Sequence, residues 1–174
     1  MGNCGEKSII LHILSFPMRF TGTIQGKLDA KGRVFFPAAF RKKLADGEEN
    51  FVLRRDIFQP CLIIYPLSVW ETEVSQLRER INRWDPKQAM VLRQFMADAE
   101  ILSLDASGRF LFSKRMLQIA EIDKEIVFIG MDDRIEVWSK EHTDTPFLSA
   151  DEFSSALQEI MSSKDPLNIN SQNK

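Results

Sequence analysis

One nine-residue segment of the chain occurs twice, and this repeat constrains the possible folds more than any other feature. Residues 28–36 read LDAKGRVFF and residues 104–112 read LDASGRFLF, so Leu-Asp-Ala-x-Gly-Arg and a following apolar run recur 76 residues later. Each copy continues into a short basic stretch and then into two apolar strands. The 174 residues are therefore predicted to contain two copies of one unit of about 45 residues, which is too small to bury a core alone.

The Asp-x-x-Gly part of each copy predicts a tight turn. The aspartate carboxylate can accept a hydrogen bond from the backbone two residues further on, and the glycine supplies a position with positive φ. The predicted turn-forming residues are Asp29 and Gly32 in the first copy and Asp105 and Gly108 in the second. A hairpin turn with a solvated arginine would explain either copy alone. Because Arg33 and Arg109 stand at the same place in both copies, a functional role is favoured.

A short helix is predicted after each apolar run. In the first copy Pro37 sets the first helical turn, and Phe40 and Leu44, four residues apart, face the core. Three basic residues then face outward: Arg41, Lys42 and Lys43. In the second copy Ser113 replaces the proline and is predicted to cap the helix, which begins with a weaker basic pair at residues 114–115.

The net charge of −2 conceals an uneven distribution. From Lys27 to Lys43 six basic residues stand against Asp29 alone, whereas residues 121–160 hold 11 acidic and 3 basic residues. Net charge alone would argue against a nucleic-acid partner, but the basic segment around the first turn favours one. A basic face that is only solvated is the alternative interpretation.

The composition excludes several classes of protein. Cys4 and Cys61 cannot form a disulfide framework, which indicates a reducing, cytoplasmic compartment. With His12 and His142 as the only histidines, and no nucleophile–base pair or phosphate-binding loop, we expect no metal, no cofactor, no small-molecule substrate and no catalysis. The apolar run at residues 8–16 is too short to span a bilayer, so we expect no membrane partner. Residues 1–17 are predicted to form a disordered N-terminal extension.

Helices are predicted between and after the repeats. Five apolar residues recur with 4-3-4-3 spacing, as on one face of a helix: Trp70, Val74, Leu77, Ile81 and Trp84. Pro86 separates this helix from a second one, so residues 69–97 are predicted to form a helical connector packed on the repeats or on a neighbouring subunit. Ser149 is predicted to cap a helix within the C-terminal segment 142–174, whose residues from 162 onward are expected to be disordered.

The sequence resembles the MraZ family of bacterial transcriptional regulators over about residues 18–141. The resemblance rests on residues 20–23, 28–33 and 37–41, on the second Asp-x-x-Gly-Arg, and on the closing Val137-Trp138. It implies an α+β, mainly β fold built from two tandem SpoVT-AbrB-type units at residues 22–68 and 98–141. The hairpins of these swapped-hairpin units would interleave into one pseudo-symmetric β-barrel with connecting helices.

The same resemblance implies a sequence-specific DNA-binding regulator that forms ring-shaped homo-oligomers. Such proteins bind repeated boxes of double-stranded promoter DNA upstream of the cell-division and cell-wall gene cluster and usually repress it, which places them in the cytoplasm at the nucleoid. The positions that correspond to the DNA-facing residues are Lys31, Arg33 and Arg109. Because Ser107 and Ser113 depart from the family pattern, the second copy is open to a DNA-contacting role or to a structural or oligomer-forming one.

In physical terms, the guanidinium group of Arg33 can bond guanine bidentately in the major groove. Five neighbouring basic residues would contact phosphates: Lys27, Lys31, Arg41, Lys42 and Lys43. The alternative function is an antitoxin-like protein-interaction module of the same barrel fold, which would bind a protein through its acidic C-terminal helix.

Overall fold

The computed structural model describes residues 19–44, 48–145 and 147–162. The predictions of a disordered extension at residues 1–17 and of a disordered tail concern segments outside these residues, except that Ser162, predicted to begin the tail, is the last residue of a helix. The strands are β1 (Phe20–Lys27), β2 (Arg33–Phe35), β3 (Asn50–Arg55), β4 (Cys61–Pro66), β5 (Ala99–Ser103), β6 (Arg109–Leu111), β7 (Glu125–Asp132) and β8 (Arg134–Ser139). The helices are α1 (Ala38–Arg41), α2 (Leu67–Arg80), α3 (Pro86–Ala97), α4 (Lys114–Ile119), α5 (Lys140–Thr143) and α6 (Ala150–Ser162).

Both repeats have the same element order, strand-strand-helix-strand-strand, which is β1-β2-α1-β3-β4 in the first and β5-β6-α4-β7-β8 in the second. The helices α2 and α3 lie between them, and α2 begins at Leu67, two residues before the predicted connector of residues 69–97. The fold is mixed α+β, as predicted, and most strands of the described residues lie in one large antiparallel sheet.

The strands form an antiparallel six-stranded sheet in the order β1-β7-β8-β4-β3-β5 and a separate two-stranded ribbon, β2-β6. The order is symmetric with respect to the two repeats. If β1, β3 and β4 are exchanged with their counterparts β5, β7 and β8, the same order is obtained from the opposite edge of the sheet. The strand before each turn and the strand after it pair with different partners, because β1 pairs with β7 while β2 pairs with β6. The turn therefore joins a strand of the sheet to a strand of the ribbon. Since β1 and β5 are edge strands, the closed barrel of swapped hairpins stays a prediction.

One hydrophobic core is shared by both repeats. Phe20, Phe51 and Leu53 enter it from the first repeat, and Phe110 and Phe128 enter it from the second. Burial of each such side chain contributes about 1.5–3 kcal/mol, so the shared core supplies what a single repeat would lack. The ribbon is fixed to this core by its inner face, where Val34 pairs with Phe110 and both are buried.

The helices α2 and α3 pack on the opposite face of β3 and β4, where Trp70 stacks on Phe95 with 5.2 Å between the ring centroids. The predicted single helical face continues only to Arg80, so its last two members, Ile81 and Trp84, lie outside α2 and Trp84 is 94% exposed. The helix ends here because side chains beyond it bond the backbone instead. Asn82 accepts from the N–H of residue 84, and Asp85 caps α3 by accepting from the N–H groups of residues 87 and 88.

The chain divides into two compact units, the first ending at His142 and the second beginning at Thr143. The second unit contains α6, whose first turn carries the predicted cap. Ser149 Oγ accepts from the N–H of Glu152 at 3.3 Å, and the Glu152 carboxylate accepts from the N–H of Ser149 at 2.9 Å. Within the part of the chain that the structure describes, no helix has the length and apolar character needed to cross a membrane.

Candidate nucleic-acid interface

The first Asp-x-x-Gly-Arg turn is closed by its aspartate. Asp29 Oδ1 accepts from the backbone N–H groups of Lys31 and Arg33, both at 2.9 Å, and Oδ2 accepts from Nε of Arg33 at 2.7 Å. Gly32 has a φ of +81°, as the turn requires. The predicted bond to the backbone two residues on is thus confirmed, and the arginine is additionally held against its own turn.

The second turn repeats this geometry. Asp105 Oδ1 accepts from the N–H groups of Ser107 and Arg109 at 2.9 and 3.0 Å, and Oδ2 accepts from Nε of Arg109 at 2.9 Å. Gly108 has a φ of +78°. The two sequence copies therefore make the same local structure, although lysine and serine differ at the third position of the turn.

The two turns are also bonded to each other's repeat. The carbonyl oxygen of Gly32 accepts from the N–H of Phe112 at 3.0 Å, and that of Gly108 accepts from the N–H of Phe36 at 3.0 Å. Between these bonds lies the β2-β6 ribbon. Each repeat thus contacts the turn of the other through one backbone hydrogen bond.

The outer side of the ribbon, here called the ribbon face, consists of Arg33, Phe35, Arg109 and Leu111. These residues alternate along the two strands with the buried Val34 and Phe110, so all four lie on the opposite side from the core. Arg33 pairs with Leu111, and Phe35 pairs with Arg109. The sequence indicated the two arginines but not the two apolar residues, because the run of residues 34–36 gives no sign of which member faces outward.

An ion pair connects the arginine of the second repeat to the turn of the first. Nη1 of Arg109 lies 4.0 Å from Oδ2 of Asp29, so the second arginine reaches the first turn as well as its own. Its guanidinium carbon lies 5.8 Å from the centroid of the Phe35 ring. The Arg33 and Arg109 side chains keep 31% and 23% of their surface exposed.

The aspartates are held in the charged form. The bond from the backbone N–H of Arg33 is the main reason that the pKa of Asp29 lies below its ordinary value, and the arginine side chain adds to it. The bond from the N–H of Arg109 lowers the pKa of Asp105 in the same way. Both carboxylates therefore stay acceptors near neutral pH, and they orient the arginines rather than acting as acids or bases.

The surroundings of the two turns differ. A Cβ atom placed on Gly108 would lie 3.0 Å from Nη1 of Arg41, so the helix of the first repeat brings a guanidinium group to the second turn. The corresponding atom on Gly32 would lie 3.6 Å from Cδ1 of Leu117, in the helix of the second repeat. The first repeat thus supplies a basic group to the turn that lacks a lysine.

The other predicted phosphate-contacting residues fall at separate places. Lys31 is exposed within the first turn, and Lys27 ends β1 opposite Glu125. Lys42 lines an open groove of about 650 Å³ together with Arg41 and Asp105, next to the second turn. Lys43 lines a different hollow with Arg19 and Thr21. The basic segment predicted as one face is therefore divided between the two turns and a third location.

The basic pair of the second repeat is partly neutralised. Nη2 of Arg115 lies 2.9 Å from Oε1 of Glu100, which also accepts from Ser113 Oγ at 3.1 Å. Ser113 in turn accepts from the N–H of Met116 at 3.3 Å, which confirms its predicted role as a helix cap. Among the described residues no group of histidine, cysteine, aspartate and glutamate side chains is arranged to hold a metal ion.

Known proteins are similar to this chain over most of its length. Residues 19–94 and 95–160 each match the family described as "MraZ protein, putative antitoxin-like". A "Transcriptional regulator MraZ" from Phocaeicola vulgatus is 47% identical over 153 residues, covering 87% of this chain and 99% of that protein. The protein of the same name from Bacteroides thetaiotaomicron is 49% identical over 149 residues, covering 85% and 96%. That from Clostridium acetobutylicum is 36% identical over 122 residues, covering 70% and 82%.

Proposed function

The chain belongs to the MraZ family, and we propose that it is a transcriptional regulator that binds double-stranded DNA with its ribbon face. Relatives along most of its length are named transcriptional regulators, not enzymes. The observation that carries the DNA-binding proposal is the pairing of β2 with β6, which sets Arg33 and Arg109 on the same outer face of one two-stranded ribbon, diagonally across its strands.

A two-stranded ribbon is one of the elements that fit the major groove of B-DNA, which is about 12 Å wide. The Nε atoms of both arginines are bonded to carboxylates, which limits the orientations of each guanidinium group. The Nη atoms then form a fork suited to O6 and N7 of guanine. Because the carboxylates fix the arginines in advance, little side-chain freedom is lost on binding.

The remaining basic residues are assigned to the phosphates. Lys31 and Arg41 lie at the two turns, one on each side of the ribbon, and Lys42 lies beside Arg41. Lys27 and Lys43 are the other two residues assigned to phosphate contacts. Contacts of this kind add affinity that depends on salt but not on base sequence.

One ribbon spans few base pairs, so affinity must come from several subunits that bind several boxes together. We therefore include in the proposal a ring-shaped homo-oligomer on repeated promoter boxes. Its target would be the cell-division and cell-wall gene cluster, its effect repression, and its location the nucleoid in the cytoplasm.

The test is a titration of the full chain against the DNA upstream of its own operon at several salt concentrations. Arg33→Ala is expected to weaken binding by about 1–3 kcal/mol per contacted site. Arg93→Ala removes the same charge from an exposed position on α3 and serves as the matched control. Equal affinity of wild type and Arg33→Ala, or binding that does not depend on salt, would contradict the proposal. Light scattering on the same samples counts the subunits.

A protein-interaction module is the second candidate, favoured by the family description "putative antitoxin-like". The helix α6 has exposed apolar residues four apart, Phe153 and Leu157, which a partner protein could cover. A stable complex with one protein, together with no salt-sensitive DNA shift, would support this candidate over DNA binding.

A further inference from the structure

The ribbon face carries two large apolar side chains between its charges. Phe35 is 65% exposed and Leu111 is 58% exposed, although the strand residues beside them, Val34 and Phe110, are buried in the core. Each of the two lies directly opposite an arginine on the neighbouring strand, because Phe35 pairs with Arg109 and Leu111 with Arg33. The apolar groups thus lie within the surface to which base contacts are assigned, not at its edge.

Their position repeats on both strands. Each arginine is followed two residues later, on the same face, by the apolar residue: Arg33 by Phe35 and Arg109 by Leu111. Two residues of a strand span about 6.5 Å, which is close to two base-pair steps of about 3.4 Å each. A strand that sets its arginine against one base therefore sets its apolar side chain about two base pairs away.

The major groove offers one apolar group to such a side chain, the 5-methyl group of thymine. We infer that Phe35 and Leu111 contact thymine methyl groups, an inference that rests on the proposed DNA binding. The ribbon face then reads a guanine through each arginine and a thymine within about two base pairs of it. A face that contacted only phosphates would need charged groups but no exposed apolar ring. The exposed phenyl ring of Phe35, which lies between two arginine–aspartate pairs, therefore favours contact with an apolar group of the bases.

Deoxyuridine provides the test, since it replaces thymine without the methyl group and keeps the same base pair. The full chain is titrated against its upstream DNA with each thymine of the box replaced in turn by deoxyuridine. For the wild type we expect a loss of about fourfold at each contacted thymine, the factor that corresponds to one buried methyl group. Phe35→Ala and Leu111→Ala should each abolish the loss at the thymines they contact, while Phe35→Leu should keep part of it.

The controls separate the possible failures. Phe58→Ala removes an exposed ring from the loop between β3 and β4 and should leave the response to deoxyuridine unchanged. If the wild type binds both DNAs equally, or if the loss persists in both alanine variants, the inference is wrong while the proposed function stands. If Phe35→Ala changes the subunit number in light scattering and the methyl response is unchanged, the face is a subunit interface and the inference is wrong. If the wild type binds no double-stranded DNA, both are wrong.

Discussion

The two Asp-x-x-Gly-Arg turns have one internal structure and two different environments. In both, the carboxylate accepts from two backbone N–H groups and from the arginine Nε. The first turn has Lys31 within it and Leu117 beside it, whereas the second has Ser107 within it and Arg41 beside it. Each turn therefore has one further basic residue, supplied by its own loop in one case and by the helix of the other repeat in the second.

This difference shows that charge counted along the chain does not give the charge of a site. The window from Lys27 to Lys43 is far more basic than residues 104–120. The fold reduces that inequality, because α1 places Arg41 at the second turn. We therefore expect the second repeat to take part in DNA contact, and four measurements test whether the two turns are equivalent.

The largest effect is expected from the two arginines. Arg33→Ala and Arg109→Ala should each weaken DNA binding by about 1–3 kcal/mol, since each would remove one of the proposed bidentate base contacts. Dissociation constants for both variants, with Arg93→Ala as the control, decide whether the turns are equivalent. An Arg109→Ala protein with wild-type affinity would assign the second turn to structure alone.

The glycines come next. Gly32→Ala and Gly108→Ala both force an alanine to positive φ, at a cost of about 1–2 kcal/mol in the free energy of unfolding. Gly32→Ala should cost more, because its Cβ would lie 3.1 Å from the backbone oxygen of Phe112. At Gly108 the nearest atom belongs to the flexible end of Arg41. Urea unfolding measures both, and equal losses would show that the surroundings of the glycines do not matter.

A smaller effect is expected for Arg41→Leu, which makes the second turn resemble the first. Loss of one phosphate contact should reduce the slope of log affinity against log salt by about one. If Arg41 acts at the second turn, the loss of DNA affinity caused by Arg41→Leu should change more in the Arg109→Ala background than in the Arg33→Ala background. Double-mutant cycles at fixed salt give the two coupling energies. Equal coupling to both arginines would contradict the placement of Arg41.

The smallest difference is expected in the dependence of stability on pH. The pKa values of Asp29 and Asp105 are lowered from an ordinary value of 3.8, so their contribution to folding is present above about pH 4 and lost as the pH falls through the folded-state pKa. Asp29→Asn and Asp105→Asn should each flatten the stability profile below pH 4, and by similar amounts. Thermal unfolding from pH 6 to pH 2 checks this, and a profile parallel to that of wild type would contradict it.

Local features of the chain could be predicted from sequence. The Asx turns at Asp29 and Asp105, the positive φ of the glycines and the caps at Ser113 and Ser149 all depend on neighbours within four residues. The two-repeat organisation followed from the recurring motif. These features depend on short-range chemistry, which the order of residues contains directly.

Features that depend on distant residues could not be predicted in the same way. Three such features depend on contacts between the two repeats. They are the pairing of β2 with β6, the outward direction of Phe35 that this pairing sets, and the approach of Arg41 to Gly108. The end of α2 at Arg80 was also missed, because the apolar spacing continued past it while Asn82 and Asp85 bonded the backbone. Spacing predicts which face is apolar but not where competing polar bonds stop the helix.

The pairing of β1 with β7 joins Phe20 to Asp132, so the first strand of the sheet pairs with a strand of the second repeat that is synthesised much later. During translation β1, β2 and α1 leave the ribosome well before β6 and β7 exist. Contacts of such long range slow folding, because the intervening chain must first be closed into a loop. A nascent or truncated chain would hold the motif of the first repeat without its ribbon. We therefore expect the proposed DNA binding only from chains that contain both repeats.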